Sequence, residues 1–170
     1  ELALRRNEIA DEFTTIYIGG GTPSILNEIQ LARLVEGIGK TVDIASLDEF
    51  TIEANPEDVT PRWCEIIKRL GINRVSMGIQ SFDDEQLLTI NRRHSSQDAV
   101  DAIETLRSSG IDEISCDLIY GLPGQTLDSW KRSLSRLLDY DLPHFSSYLI
   151  SYEPGTRLFK QMKHGKEEKA

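Results

Sequence analysis

Short apolar runs alternate along the chain with longer segments in which apolar residues recur every three or four positions. Five of the runs, Thr15–Ile18, Phe50–Ala54, Arg74–Ile79, Ile114–Ile119 and Phe145–Ile150, are rich in Ile, Val, Phe and Thr and are bounded by Gly, Pro, Asn or Asp. That composition and those boundaries predict β-strands. The segments between them read as helices with legible ends. Asn27 is placed to cap a helix whose apolar face is Leu31, Leu34, Val35 and Ile38, with Gly39 as its stop. Thr60-Pro61 is a cap followed by proline in the first turn, ahead of Trp63, Ile66, Ile67 and Leu70 on one face and Gly71 at the end. Ser95 or Ser96 opens a helix through Ala99, Ile103 and Leu106 that stops at Gly110, and Thr126 opens another through Trp130, Leu134, Leu137 and Leu138. Asp83 caps a short helical turn through Leu87 and Leu88.

Strand and helix in regular alternation predict an α/β fold with a parallel sheet covered by helices. Two closures satisfy the pattern, an open doubly wound sheet and a (β/α) barrel. Polar residues within the strands favour the barrel. Glu53 and Gln80 fall at C-terminal strand ends and Asp117 within a strand, positions that in a barrel point inward or toward the mouth where sites form. The expected architecture is therefore a partial TIM-like barrel forming a single domain over residues 1–170. Glu1–Arg6 reads as the interior of a helix, so the natural start is expected upstream, and the polar tail after Phe159 reads as a frayed helix or a chain boundary. Both ends are expected to be cut, which leaves two open sheet edges and room for a homodimer.

Composition narrows the class of function. At 39% hydrophobic and 28% charged residues the chain is that of an ordinary globular domain, and no apolar run approaches the ~20 residues of a membrane helix. The formal net charge of −9 disfavours a general nucleic-acid-binding role. Cys64 and Cys116 are far apart and neither belongs to a C-x-x-C pair. This excludes a disulfide scaffold and any metal site made of cysteine alone, and two isolated reduced thiols fit the cytoplasm.

Several segments carry candidate chemistry. Gly19-Gly20-Gly21-Thr22-Pro23-Ser24 follows a strand, and three glycines let a backbone pass close to a polar ligand; the plainer reading is a tight turn. It is neither a phosphate-binding Walker loop nor a dinucleotide fingerprint, because both spacings are missing. Glu53, before Asn55-Pro56, is an acceptor suited to an ammonium group or ribose hydroxyls, or a rim carboxylate facing water. Gly78 inside a strand marks a close approach, and Gln80 ends that strand with both donor and acceptor capacity. In Asn91-Arg92-Arg93-His94, either arginine can clamp a carboxylate, or the segment is an exposed basic loop; His94 reads as a loop residue. Asp117 is flanked by apolar strand residues and needs a partner or a use. Cys116, on the opposite side of that strand, reads as a small core residue, and Trp63 and Trp130 as core. The segment Tyr148–Thr156 forms a pocket rim or a capped turn.

Four of these motifs, Gly19–Ser24, Thr51–Pro56, Arg74–Phe82 and Asp117–Thr126, resemble in order and spacing the coproporphyrinogen III oxidase-like radical S-adenosylmethionine (SAM) proteins. The resemblance runs from about Thr15 to about Gly165. It implies a partial (β/α)6 barrel and a 4Fe–4S cluster on a C-x-x-x-C-x-x-C loop, which reduces SAM and releases a 5′-deoxyadenosyl radical. That cysteine loop is missing from this sequence, so this stretch alone is expected to bind no cluster and to be inactive. Two branches fit, the oxygen-independent oxidase of haem biosynthesis and the HemW-type haem chaperone. The segment Ser147–Phe159, with its Glu153-Pro154-Gly155-Thr156, looks more like the chaperone branch. By resemblance, Gly20, Gly21, Thr22 and Glu53 meet the methionine part of SAM. Gln80, Arg92 and Asp117 match residues that contact a second SAM or line the same pocket, and Ser151 matches a further contact. Haem or a porphyrinogen is the implied partner. The competing reading is an unrelated (β/α) metabolic enzyme with an anion site at Gly19–Gly21.

Overall fold

The structure, a computed structural model, describes residues 13–156 and 158–160; the expectations for Glu1–Arg6 and for the tail beyond Lys160 lie outside the described residues. Among the described residues five strands form one sheet: β1 (Thr15–Ile18), β2 (Glu49–Ala54), β3 (Arg74–Gln80), β4 (Glu113–Tyr120) and β5 (His144–Leu149). The helices are α1 (Glu28–Gly39), α2 (Pro61–Arg69), α3 (Asp84–Thr89), α4 (Ser96–Ser108) and α5 (Leu127–Leu138). Every strand pair is parallel and the spatial order follows the sequence order. That order decides between the two closures. Right-handed crossovers that always step in one direction lay every helix on the same side of the sheet, whereas a doubly wound sheet must reverse. The result is a half-barrel with an apolar convex face and a free concave one.

Strand periodicity builds both faces. Phe50 and Ile52 on β2, Val75, Met77 and Ile79 on β3, and Ile114, Cys116 and Leu118 on β4 are all completely buried toward the helices. Burial of each large apolar side chain contributes about 1.5–3 kcal/mol, so this row dominates the stability of the half-barrel. The intervening residues, Thr51 and Glu53, Arg74 and Ser76, Ser115 and Asp117, are polar and face the concave side. Backbone register aligns them into levels: Glu53 pairs with Ser76, Ser76 with Ser115, and Ser115 with His144, while Asp117 pairs with Ser146 one level higher.

The helix ends follow the sequence closely. Asn27, Ser95 and Thr126 each accept a hydrogen bond from the third helical amide, and the side chains of Gln30, Asp98 and Ser129 accept the cap residue's own amide in return. Thr60 and Asp83 cap α2 and α3. Gly71 (φ 84°) and Gly110 (φ 73°) supply the left-handed residues that stop α2 and α4. Gly39 does not act this way. It is the last residue of α1, Lys40 stays right-handed, and the amides of Thr41 and Val42 both return to the Ile38 carbonyl so that Val42 is buried. The inward helix stripes are also narrower than the pattern suggests. Leu34, Leu88 and Leu138 are exposed, because a helix lying on a sheet buries only the residues directly above it. Trp63 is buried, and Trp130 is packed against the core.

Candidate functional site

The site begins where β1 and β2 end. Glu53, the last concave residue of β2, accepts the Gly20 amide at Oε2 (2.9 Å) and the Tyr17 hydroxyl at Oε1 (2.9 Å). The glycine loop can reach the carboxylate because Gly19 has no side chain: a Cβ there would lie 2.8 Å from Glu53 Oε1 and 2.6 Å from Tyr17. Gly20 (φ 83°) and Gly21 (φ 69°) then turn the chain through the left-handed region. Ser24 ties this loop to the turn after β2, donating to Asp58 (2.6 Å) and accepting from the Asn55 amide (3.3 Å).

The end of β3 supplies the next wall. Ladder pairing is interrupted between Met77 and Gln80, and Gln80 has a positive φ of 69° with the Ser81 amide bonded back to the Ile79 carbonyl at 2.9 Å. This three-residue turn is strained, typically by about 1–3 kcal/mol. It folds the Gln80 side chain over Gly78, where a Cβ would sit 2.6 Å from Gln80 Nε2. The close approach marked by Gly78 is thus made by the chain's own glutamine. Arg92, on the loop between α3 and α4, donates to Asn55 Oδ1 at 3.2 Å. Asp117 of β4 completes the set from the other side.

Gly21, Thr22, Glu53, Gln80, Arg92 and Asp117 line one cavity of about 230 Å³ on the concave face. Gly20 stands beside it, bonded to Glu53. Ser151 does not join them: it is exposed and donates to Glu153 at 2.5 Å. Three contributors escaped the sequence reading. Ser76 and Tyr17 share the parity of Gln80 and Glu53, a signal that was available. Asn55 contributes through a contact with Arg92 37 residues away, for which no local pattern exists.

Burial raises the ionisation range of the Asp117 carboxyl, and the nearby Glu53 charge adds to it, against a hydrogen bond from Ser146 and the charges of His144 and Arg74. Partial burial likewise raises the Tyr17 hydroxyl, with Glu53 contributing. For Arg92, burial lowers the pKa while the Glu57 and Asp117 charges oppose it. Two carboxylates and one guanidinium in a part-buried, open cavity suit a small ligand that carries both positive and negative groups. The volume is below the ~300–1,000 Å³ common for drug-sized ligands, so the cavity has room for the polar portion of one and not for the whole. Among the described residues no group of three or more His, Cys, Asp or Glu is placed to hold a metal ion. Cys64 and Cys116 are buried on separate elements and do not fit a cluster.

A parallel half-barrel with its polar cavity at the C-terminal strand ends defines the class, a partial (β/α) barrel. Residues 2–137 match the radical SAM superfamily, and the chain belongs to it. The reading as an unrelated metabolic barrel is thereby set aside. Curated relatives include the haem chaperone HemW of Lactococcus lactis subsp. lactis, 38% identical over 91% of this chain and 41% of its own length. HemW of Bacillus subtilis is 40% identical over the same shares. The chain thus spans about two fifths of the length of these relatives. Among solved structures, the coproporphyrinogen III oxidase HemN of Escherichia coli, described as a radical SAM enzyme, superposes with a TM-score of 0.75 at 29% identity, covering 83% of this chain and 32% of that one.

Proposed function

We propose that this chain is the SAM-binding part of a HemW-type haem chaperone. The observation that carries the reading is the concave cavity where Glu53, Gln80, Arg92 and Asp117 converge. SAM fits the chemistry of that donor set. Its ammonium and sulfonium are drawn to Glu53 and Asp117, its carboxylate is within the repertoire of Arg92, and its ribose hydroxyls are matched by the amide of Gln80. Gly20, Gly21 and Thr22 give the methionine portion a backbone surface without side-chain obstruction; a Cβ at Gly20 or Gly21 would meet nothing within 4 Å. Ser151 is left out of the proposed set. The 4Fe–4S cluster that supplies radical chemistry with SAM would be held by residues outside this stretch, since two separated cysteines cannot bind it. Two buried, unpaired thiols support a reducing compartment such as the cytoplasm, and no described helix is long and apolar enough to cross a membrane.

The test uses a polypeptide of the relatives' full length carrying this sequence, with its cluster reconstituted anaerobically. SAM binding by calorimetry is expected, together with haem binding seen as a Soret shift and no carbon dioxide from coproporphyrinogen III. The likeness to the HemN structure favours a second reading, the oxygen-independent oxidase, and release of carbon dioxide would establish it instead. Absence of SAM binding would overturn both.

A further inference from the structure

Directly behind the cavity lie two ionisable side chains that line none of it. His94 is only 3% exposed, and its Nε2 lies 2.9 Å from the Ile79 carbonyl oxygen. A carbonyl only accepts, so the Nε2 nitrogen carries a proton. Nδ1 then faces Glu57 Oε2 at 3.3 Å, and among the described residues neither of these buried atoms has a hydrogen-bond partner. Two bare acceptors so placed would repel each other out of reach of water. A proton on either atom would turn the contact into a hydrogen bond. Glu57 sits in the turn Pro56–Asp58 after β2 and places its other oxygen 3.3 Å from Arg93 Nε.

The carbonyl that His94 holds is the one that closes the strained turn. Ile79 O also accepts the Ser81 amide across Gln80, whose φ of 69° is unfavourable for a residue with a Cβ. Such a conformation persists only when its surroundings fix it. The same histidine lies two residues after Arg92, whose amide is bonded to Leu87 O (3.0 Å) and whose guanidinium is bonded to Asn55 (3.2 Å). His94 therefore joins the loop that delivers Arg92 to the strand end that delivers Gln80.

We infer that His94, backed by Glu57, is a positioning residue that holds the Gln80 turn and the Arg92 loop in register around the cavity. The inference rests on the SAM reading only for the choice of ligand. A full-length polypeptide carrying this sequence is compared with its H94L, H94Q, E57L and E57Q variants by SAM titration and by amide hydrogen exchange resolved by residue. In H94L, which fills the space but offers no donor, the Ser81 amide is expected to exchange at least ~10-fold faster while Val75–Met77 are unchanged, and SAM affinity to fall about tenfold. H94Q retains a donor for the Ile79 carbonyl, and E57Q a donor for Nδ1, so both should stay within about threefold of the parent. E57L should behave like H94L, and it decides the matter should H94L fail to fold. Parent-like Ser81 exchange in these leucine variants would overturn the inference, as would a uniform rise along β3, which marks simple loss of packing. A parent that binds no SAM removes the proposed function, but the exchange comparison still decides the role of His94.

Discussion

The carboxylate of Glu53 and the backbone amide of Gly20 are joined by a 2.9 Å hydrogen bond that fixes the glycine loop to the end of the neighbouring strand. A charge-assisted bond of this kind contributes about 1.5–3 kcal/mol. Under the proposed function Glu53 has two tasks, because the same carboxylate would meet a cationic ligand. The tasks separate on substitution. Glu53→Gln keeps an acceptor for Gly20 but removes the charge, and is expected to lower SAM affinity about tenfold with a small change in melting temperature. Glu53→Ala also frees the loop and should lower both. Parent-like affinity in Glu53→Gln would show that the charge itself contributes nothing.

The glycines near the site are needed for different reasons, and alanine distinguishes them. At Gly19 the backbone is ordinary but the space is taken, by Tyr17 at 2.6 Å and Glu53 at 2.8 Å. Gly19→Ala is therefore expected to cost about 1–3 kcal/mol by overpacking and to displace the carboxylate. At Gly20 the space is open but φ is 83°, so alanine meets only backbone strain, about 1 kcal/mol. Gly78→Ala meets the flexible end of Gln80 at 2.6 Å. That amide can swing away at little cost, so stability should hold within about 0.5 kcal/mol while Gln80 leaves the cavity and SAM affinity drops. Denaturant unfolding and titration of the three variants check the order.

Much of this arrangement was legible in the chain because it rests on local rules. Caps at Asn27, Thr60, Asp83, Ser95 and Thr126, stops at Gly71 and Gly110, and the alternation along β2, β3 and β4 are each decided by a few neighbouring residues. The inward direction of Glu53 and Asp117 followed from their polarity within apolar runs. What escaped depends on contacts distant in sequence. His94 read as a loop residue because nothing in Asn91–Ser95 reveals that the Ile79 carbonyl and Glu57 close over it. Asn55 stood only as the residue before Pro56, and its contact with Arg92 comes from a distant loop. The Gln80 turn could not be read either, since a positive φ at a glutamine contradicts local preference and is imposed by its tertiary setting.

Asp117 links stability to pH. Its carboxyl ionises at a higher pH in the folded protein than in the unfolded chain, chiefly through burial and then through the Glu53 charge. Between the unfolded value near ~3.9 and the raised one, the folded state holds the extra proton. The contribution of this group to stability is thus complete below the unfolded value and declines as pH rises through the raised one. At neutral pH the ionised carboxylate is a cost to the fold, moderated by its partial exposure to solvent. Asp117→Asn should raise the melting temperature at pH 7 by about 2 °C and show little difference from the parent near pH 3.5. Under the proposed function the same variant should weaken SAM binding, since the charge that burdens the fold would also meet the ligand. A melting temperature lowered at pH 7 would show that the carboxylate is satisfied by Ser146 and its neighbours after all.

The two thiols provide a check on the convex side. Cys116 lies one residue before Asp117 and points the other way, fully buried against the helices. Burial pushes its thiol far above the ordinary range, with the Asp117 charge adding to the effect. Cys64 on α2 is also fully buried and shifted upward, again mainly through burial. The thiolate is the reactive form, so both should be inert in the native state. With 5,5′-dithiobis(2-nitrobenzoic acid) at pH 8, neither is expected to react until denaturant unfolds the half-barrel, and both should then react together. Cys116→Ser should cost about 1–3 kcal/mol, because it places a hydroxyl in an apolar layer formed by residues such as Met77 and Leu118. Rapid labelling of Cys116 in the folded protein, or a neutral Cys116→Ser substitution, would mean that the convex face is open to water and that the sheet curls the other way.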